Sequence, residues 1–133
     1  MRGFLLISGL ALASLCGLVQ AAQSCDDAAT QQEMNACAGD EYQAADKALN
    51  TTYAEIMGRL DGDAKERLGA AQRAWIGFRD AECEFVSAPT SGGSINGMVK
   101  AGCLEELTRQ RTETLESYWD CEEGDVSCPV PRQ

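Results

Sequence analysis

The chain has 133 residues, with 21 acidic side chains against 11 basic ones and no histidine, for a formal charge of −10. This balance argues against nucleic acid as a partner, and the missing imidazole excludes Ser-His-Asp and Cys-His catalysis on this chain. Seven cysteines at this length point instead to a small domain held by covalent staples.

Residues 1–21 read as a secretory signal. Arg2 supplies a positive start, residues 4–19 an apolar stretch, and Val19-Gln20-Ala21 a small-residue end suited to signal peptidase. The apolar run is too short for a comfortable membrane span, and no later stretch approaches the ~20 residues required. Leu15 stands before Cys16, where a lipid-attachment site has Gly, Ala or Ser, so cleavage rather than anchoring is expected. Loss of the first 21 of 133 residues leaves 112, the size of one small domain. It also removes Arg2 and Cys16, leaving ten basic against 21 acidic side chains, a formal charge of −11, and six cysteines.

An even cysteine set behind a signal implies a disulfide framework in a periplasmic or secreted protein. Many pairings are open to six cysteines. Chain order favours Cys25 with Cys37, Cys83 with Cys103, and Cys121 with Cys128, which closes three successive short loops. Each closure would stabilise the fold by about 2 to 4 kcal/mol. Zinc is the competing use, but there is no His and no Cys-x-x-Cys pair, so neither metal nor cofactor is expected.

Thr30-Gln31-Gln32-Glu33 matches a capping box and predicts a short N-terminal helix to about Ala38, broken at Gly39-Asp40. A longer helix follows from about Glu41 to Leu60, with Tyr42, Ala45, Leu49, Tyr53, Ile56 and Leu60 at steps of three or four. Asp61-Gly62-Asp63 signals a turn, and Asp63 with Glu66 repeats the capping pattern. This short connection favours antiparallel packing of that helix against the next.

The next helix, over residues 68–86, is the spine of the chain. At 100° per residue Leu68, Ala71, Trp75, Phe78 and Val86 share a face, which is expected to be the covered one. Gln72, Arg79 and Glu82 lie on or beside it and form a candidate polar cluster, an Arg79–Glu82 ion pair joined by Gln72. A structural role in fixing helix packing is preferred over a ligand site. Removing one member of a buried pair costs about 3 to 5 kcal/mol, although the pair itself adds little. Trp75 and Phe78 are expected in the core.

Beyond Val86, Ser87-Ala88-Pro89-Thr90-Ser91-Gly92-Gly93-Ser94 cannot continue a helix. A third main helix is expected from Ser94 or Asn96 to Trp119, weakened by Gly97 and Gly102. The tail, residues 121–133, is acidic and has Cys121 and Cys128 as its evident constraint. Its Glu122-Glu123-Gly124-Asp125 stretch does not match an EF-hand loop and reads as a surface turn. With no strand pattern, the expected fold is all-α: a small disulfide-stapled bundle of three main helices plus a short N-terminal one.

Several blocks carry a resemblance. They are Thr30-Gln31-Gln32-Glu33-Met34-Asn35-Ala36-Cys37-Ala38, Ala45-Asp46-Lys47-Ala48-Leu49-Asn50, Ala71-Gln72-Arg73-Ala74-Trp75-Ile76-Gly77-Phe78-Arg79-Asp80-Ala81-Glu82-Cys83, and Cys103-Leu104-Glu105-Glu106-Leu107-Thr108. Together they resemble the lysozyme inhibitor LprI-like N-terminal domain family, most nearly its small YecT-like periplasmic members, with residues 22–120 as the domain. The resemblance implies a non-enzymatic protein associated with lysozyme inhibition. It carries over no inhibitory residue, because the shared motif consists of core and staples.

Two functions follow. The first is a periplasmic inhibitor of lysozyme-type muramidases, drawn to a basic enzyme by its negative charge. Its candidate blocking loop is formed by Ser87, Pro89, Thr90, Ser91, Gly92, Gly93 and Ser94, held at its base by Cys83 and Cys103. The alternative is an interaction module that docks on another envelope protein without inhibiting anything. Catalysis ranks last, because no pair among the carboxylates is marked for acid–base work.

Overall fold

The fold is seen in a computed structural model that describes residues 25–130; the signal segment lies outside the described residues. Three helices, α1 (Gln31–Arg59), α2 (Gly62–Ser87) and α3 (Asn96–Ser117), form the bundle. Two 3₁₀ turns accompany them, at Cys25–Asp27 and Ala88–Thr90. No strand occurs among the described residues, so the protein is all-α.

The capping box at the start of α1 forms. Thr30 Oγ1 accepts the Glu33 N–H at 3.2 Å, and Glu33 Oε2 accepts the Thr30 and Ala29 N–H groups at 2.9 and 3.0 Å. These bonds satisfy donors that a first helical turn leaves free. The separate N-terminal helix expected up to Ala38 does not exist, because α1 runs unbroken through Gly39 and Asp40. A glycine in a helix interior costs about 1 kcal/mol. Here Cys37, bridged to Cys25, and the buried Ala38 hold the backbone immediately before the glycine.

Pairings between helices set their directions. Asn35 of α1 lies against Gly97 of α3, and Arg59 at the far end of α1 stacks on Trp119 just beyond α3. These two helices are therefore parallel. Gly69 of α2 faces the Tyr53 hydroxyl, Arg79 reaches Asp46, and Gln72 reaches Arg111. Accordingly α2 runs antiparallel to both.

The most extensive packing joins α1 to α3, with α2 next against α3. Chain adjacency instead led to the expectation of α1 against α2. The reason lies in side-chain size: α1 meets α3 through a close approach at Gly97, whereas α2 turns Gln72, Trp75 and Arg79 toward its neighbours.

Leu49, Ile56, Leu68, Leu115 and Val130 form the aliphatic core, flanked by Tyr53, Met57, Leu60, Trp75, Tyr118 and Trp119. The tail is tied by more than the Cys121–Cys128 bridge, since Val130 is buried and its N–H donates to the Tyr118 carbonyl at 3.2 Å. The other two disulfides join Cys25 to Cys37 and Cys83 to Cys103. Disulfides persist in oxidising compartments, so three of them mark an extracytoplasmic protein. Among the described residues no helix is long and apolar enough to cross a membrane.

Candidate functional site

The buried face of α2 is not the one its apolar residues suggest. Leu68, Gly69, Gln72, Arg79, Cys83 and Ser87 are buried and Trp75 is half-buried, whereas Ala71, Phe78 and Val86 are exposed. Relative to the expected face the helix is turned by roughly 80° at 100° per residue. Leu68 stays in the aliphatic core on the edge the two faces share, and Cys83, in its bridge to α3, sets the rotation. The helix also starts two residues earlier than Asp63 suggested, with Asp61 at the N-cap and Gly62 at φ 43°. Asp63 sits instead in the first turn, where its charge favours the helix dipole.

The polar residues brought inward find partners on other helices. Arg79 Nε and Nη2 donate to Asp80 Oδ1 at 2.9 and 2.8 Å, and Nη1 donates to Asp46 Oδ1 of α1 at 3.4 Å. The guanidinium carbon lies 5.6 Å from the Tyr42 ring centroid and 5.2 Å from that of Trp75. Gln72 Oε1 accepts the Arg111 Nε–H at 3.0 Å, and Arg111 stacks on Trp75 at 5.9 Å. Trp75 is thus shared by two arginines, each contact contributing about 0.5 to 2 kcal/mol.

Burial pushes the Tyr42 phenol above its ordinary pKa, an effect the Arg79 charge partly offsets. The Arg79–Glu82 ion pair expected from the sequence is not formed, because Arg79 is taken by Asp46 and Asp80. Glu82 is half-buried and makes no hydrogen bond or ion pair with another described residue. Asp46, Asn50 and Tyr42 also border a shallow open furrow along α1.

The candidate loop is an ordered structure. Ser87 Oγ donates to the Cys83 carbonyl at 2.7 Å, and the Ser87 carbonyl accepts from Thr90 Oγ1 at 2.8 Å and Asn96 Nδ2 at 3.0 Å. Pro89 occupies the first turn of the 3₁₀ segment, and the Ser91 N–H donates to the Ala88 carbonyl. Gly92 adopts φ 78°, which side chains disfavour. A Cβ at Gly93 would lie 3.1 Å from the Thr90 carbonyl oxygen. These two glycines are required by the turn.

Asn35, not singled out from the sequence, closes the loop from α1. Its Nδ2 donates to the Ser94 carbonyl at 2.9 Å, and its Oδ1 accepts the Met98 N–H at 3.1 Å. It thereby caps the start of α3 from another helix, the task an N-cap side chain performs locally. No pattern within the third helix's own sequence announces it. The one visible signal is the absence of a capping residue at Ile95.

Among the described residues, Cys25, Cys37 and Glu41 are grouped closely enough to hold a metal ion. Both sulfurs belong to a disulfide, which leaves no thiolate for coordination. The arrangement as a whole is a rigid, acidic platform that displays a constrained loop beside the outer face of α2.

An uncharacterized protein of Rhizobium meliloti (strain 1021) is 40% identical over 113 residues, covering 75% of this chain and 81% of the relative. The uncharacterized protein YecT of Escherichia coli (strain K12) is 26% identical over 113 residues, covering 74% and 70%. No solved structure matches. The family model described as lysozyme inhibitor LprI matches residues 22–115, most of the chain, and the protein belongs to that family.

Proposed function

We propose that the protein is a periplasmic, non-enzymatic inhibitor of basic lysozyme-type muramidases. The observation that carries this reading is the family match over residues 22–115. Two physical features support it. The chain's charge of −10 would accelerate encounter with a strongly basic enzyme, in a salt-dependent way. The loop at residues 87–94 is held by the Cys83–Cys103 bridge and by Asn35 and Asn96. It would therefore lose little conformational entropy on binding.

The test is lysis of peptidoglycan by lysozymes of several classes, with and without the oxidised mature protein, at low and moderate salt. Inhibition at micromolar protein, weakening as salt rises, is the expected result. No inhibition of any class would overturn the reading. A stable complex with a different envelope protein, together with indifference to lysozyme, would replace it with a docking role.

A further inference from the structure

We infer that the outer face of the C-terminal half of α2, centred on Phe78 and Phe85 with Glu82 between them, is the surface that binds the basic partner. This inference rests on the inhibitor reading and names its contact surface.

Charge steers an encounter but contributes less to affinity than a few apolar anchors, most often aromatic or Arg side chains, that become fully desolvated. The loop at residues 87–94 offers Pro89 and otherwise only small residues. Phe78, Phe85 and Val86 lie outside the bundle at 54%, 77% and 43% exposure, although few large apolar side chains are buried among the described residues. Phe78 and Phe85 are seven residues apart, two turns along one face and about 10 Å apart in rise. Ala81 lies between the two rings along the helix, and Ala71 and Ala74, also exposed, continue that side toward the start of the helix. The result is an aromatic ridge on a rigid element, preorganised as an anchor surface should be.

Glu82 commits the occupant. It lies four residues after Phe78 and three before Phe85, and so borders both rings. It is half-buried, and it has no ion-pair partner among the described residues, whereas neighbouring Asp80 and Glu84 pair with Arg79 and Lys100. A carboxylate left unpaired beside an apolar ridge matches a partner that offers Lys or Arg next to an apolar cleft. A second copy of this acidic chain, carrying the same Glu82, is a poorer match.

The experiment is calorimetric binding of a basic c-type lysozyme to the oxidised mature protein and to its Phe78→Ser, Phe85→Ser and Glu82→Gln variants. Lysis inhibition, thermal melting and sedimentation are measured in parallel. Each Phe variant should lose about tenfold or more in affinity, with inhibition falling in step. Glu82→Gln should lose less affinity and show a weaker salt dependence. Melting should stay near wild type, since these residues are not in the core. If wild type inhibits and all three variants bind equally well, the surface assignment falls and the inhibitor reading stands. If wild type neither binds nor inhibits, both fall. A wild-type dimer that Phe85→Ser dissociates, with lysozyme binding unchanged, would show that a second copy covers the ridge and would also overturn the assignment.

Discussion

The two ends of the bundle are held by different physics. At the end where α1 and α3 finish, Leu49, Ile56, Leu68, Leu115 and Val130 close an aliphatic core, and cohesion comes from apolar area removed from water. At the end where α1 and α3 begin, the Cys25–Cys37 and Cys83–Cys103 bridges supply the order instead. They act with the Asn35 cap and the Ser87, Thr90 and Asn96 hydrogen bonds. The core end therefore provides cooperative stability, and the loop end provides a fixed shape with little apolar investment. A surface loop that must keep one conformation while exposed is better served by covalent and directional bonds.

The largest expected effect lies in the core. Leu115→Ala, at a fully buried position, should cost about 3 to 4 kcal/mol through lost transfer energy and the cavity left behind. Chemical denaturation would read this as a lower midpoint with the whole molecule affected. Replacing Cys83 and Cys103 together by Ala opens a bridge spanning 20 residues and should cost about 3 kcal/mol. Its signature should differ, however. Hydrogen exchange should accelerate first at residues 87–98, while amides of α1 near Ile56 keep their protection relative to global unfolding. Uniform acceleration along the chain would show that the two ends are not separable.

The helices themselves were legible because their apolar periodicity and caps are local signals. Three features were not. The continuity of α1 through Gly39 depends on packing that outweighs a small local penalty. The rotation of α2 depends on the Cys83 bridge and on the partners of Gln72 and Arg79, which periodicity cannot weigh against the apolar residues of the expected face. Phe78 therefore looked like core and is surface, while Arg79 is buried because partners are available on α1. The third, the use of Asn35 and Val130, links residues far apart in the chain, through bonds from Asn35 to Ser94 and Met98 and core contacts of Val130. The candidate loop was visible in its Pro and Gly content, but its rigidity was not.

Arg79 joins the two ends, and its substitution measures how much that junction contributes. The side chain is 9% exposed, yet Asp46 and Asp80 remain 40% and 57% exposed. Arg79→Met keeps the apolar stem against Trp75 and Tyr42 and leaves two carboxylates that water can reach. The expected cost is about 1 to 2 kcal/mol by thermal melting, below the loss seen when a fully buried pair is broken. A cost as large as that of Leu115→Ala would mean that the polar junction, rather than the aliphatic core, dominates stability.

The smallest effect tests the outermost tie of the loop end. Hydrogen bonds from the Thr30 backbone N–H, then the Ala29 N–H and the Thr30 hydroxyl, hold the Glu33 carboxyl below its usual pKa. A carboxylate whose pKa is lower folded than unfolded contributes stability that is fully present above the unfolded value, near 4.5. That contribution is lost as pH falls through the folded value, when both states become protonated. Melting of the wild type and Glu33→Gln should therefore differ at neutral pH and converge in acid as pH falls through the folded value, with the wild type the more stable before convergence. A gap that stays constant with pH would show that the box acts only through geometry. The opposite sign would show that the carboxylate opposes the fold at the very turn where Cys37 is bridged to Cys25.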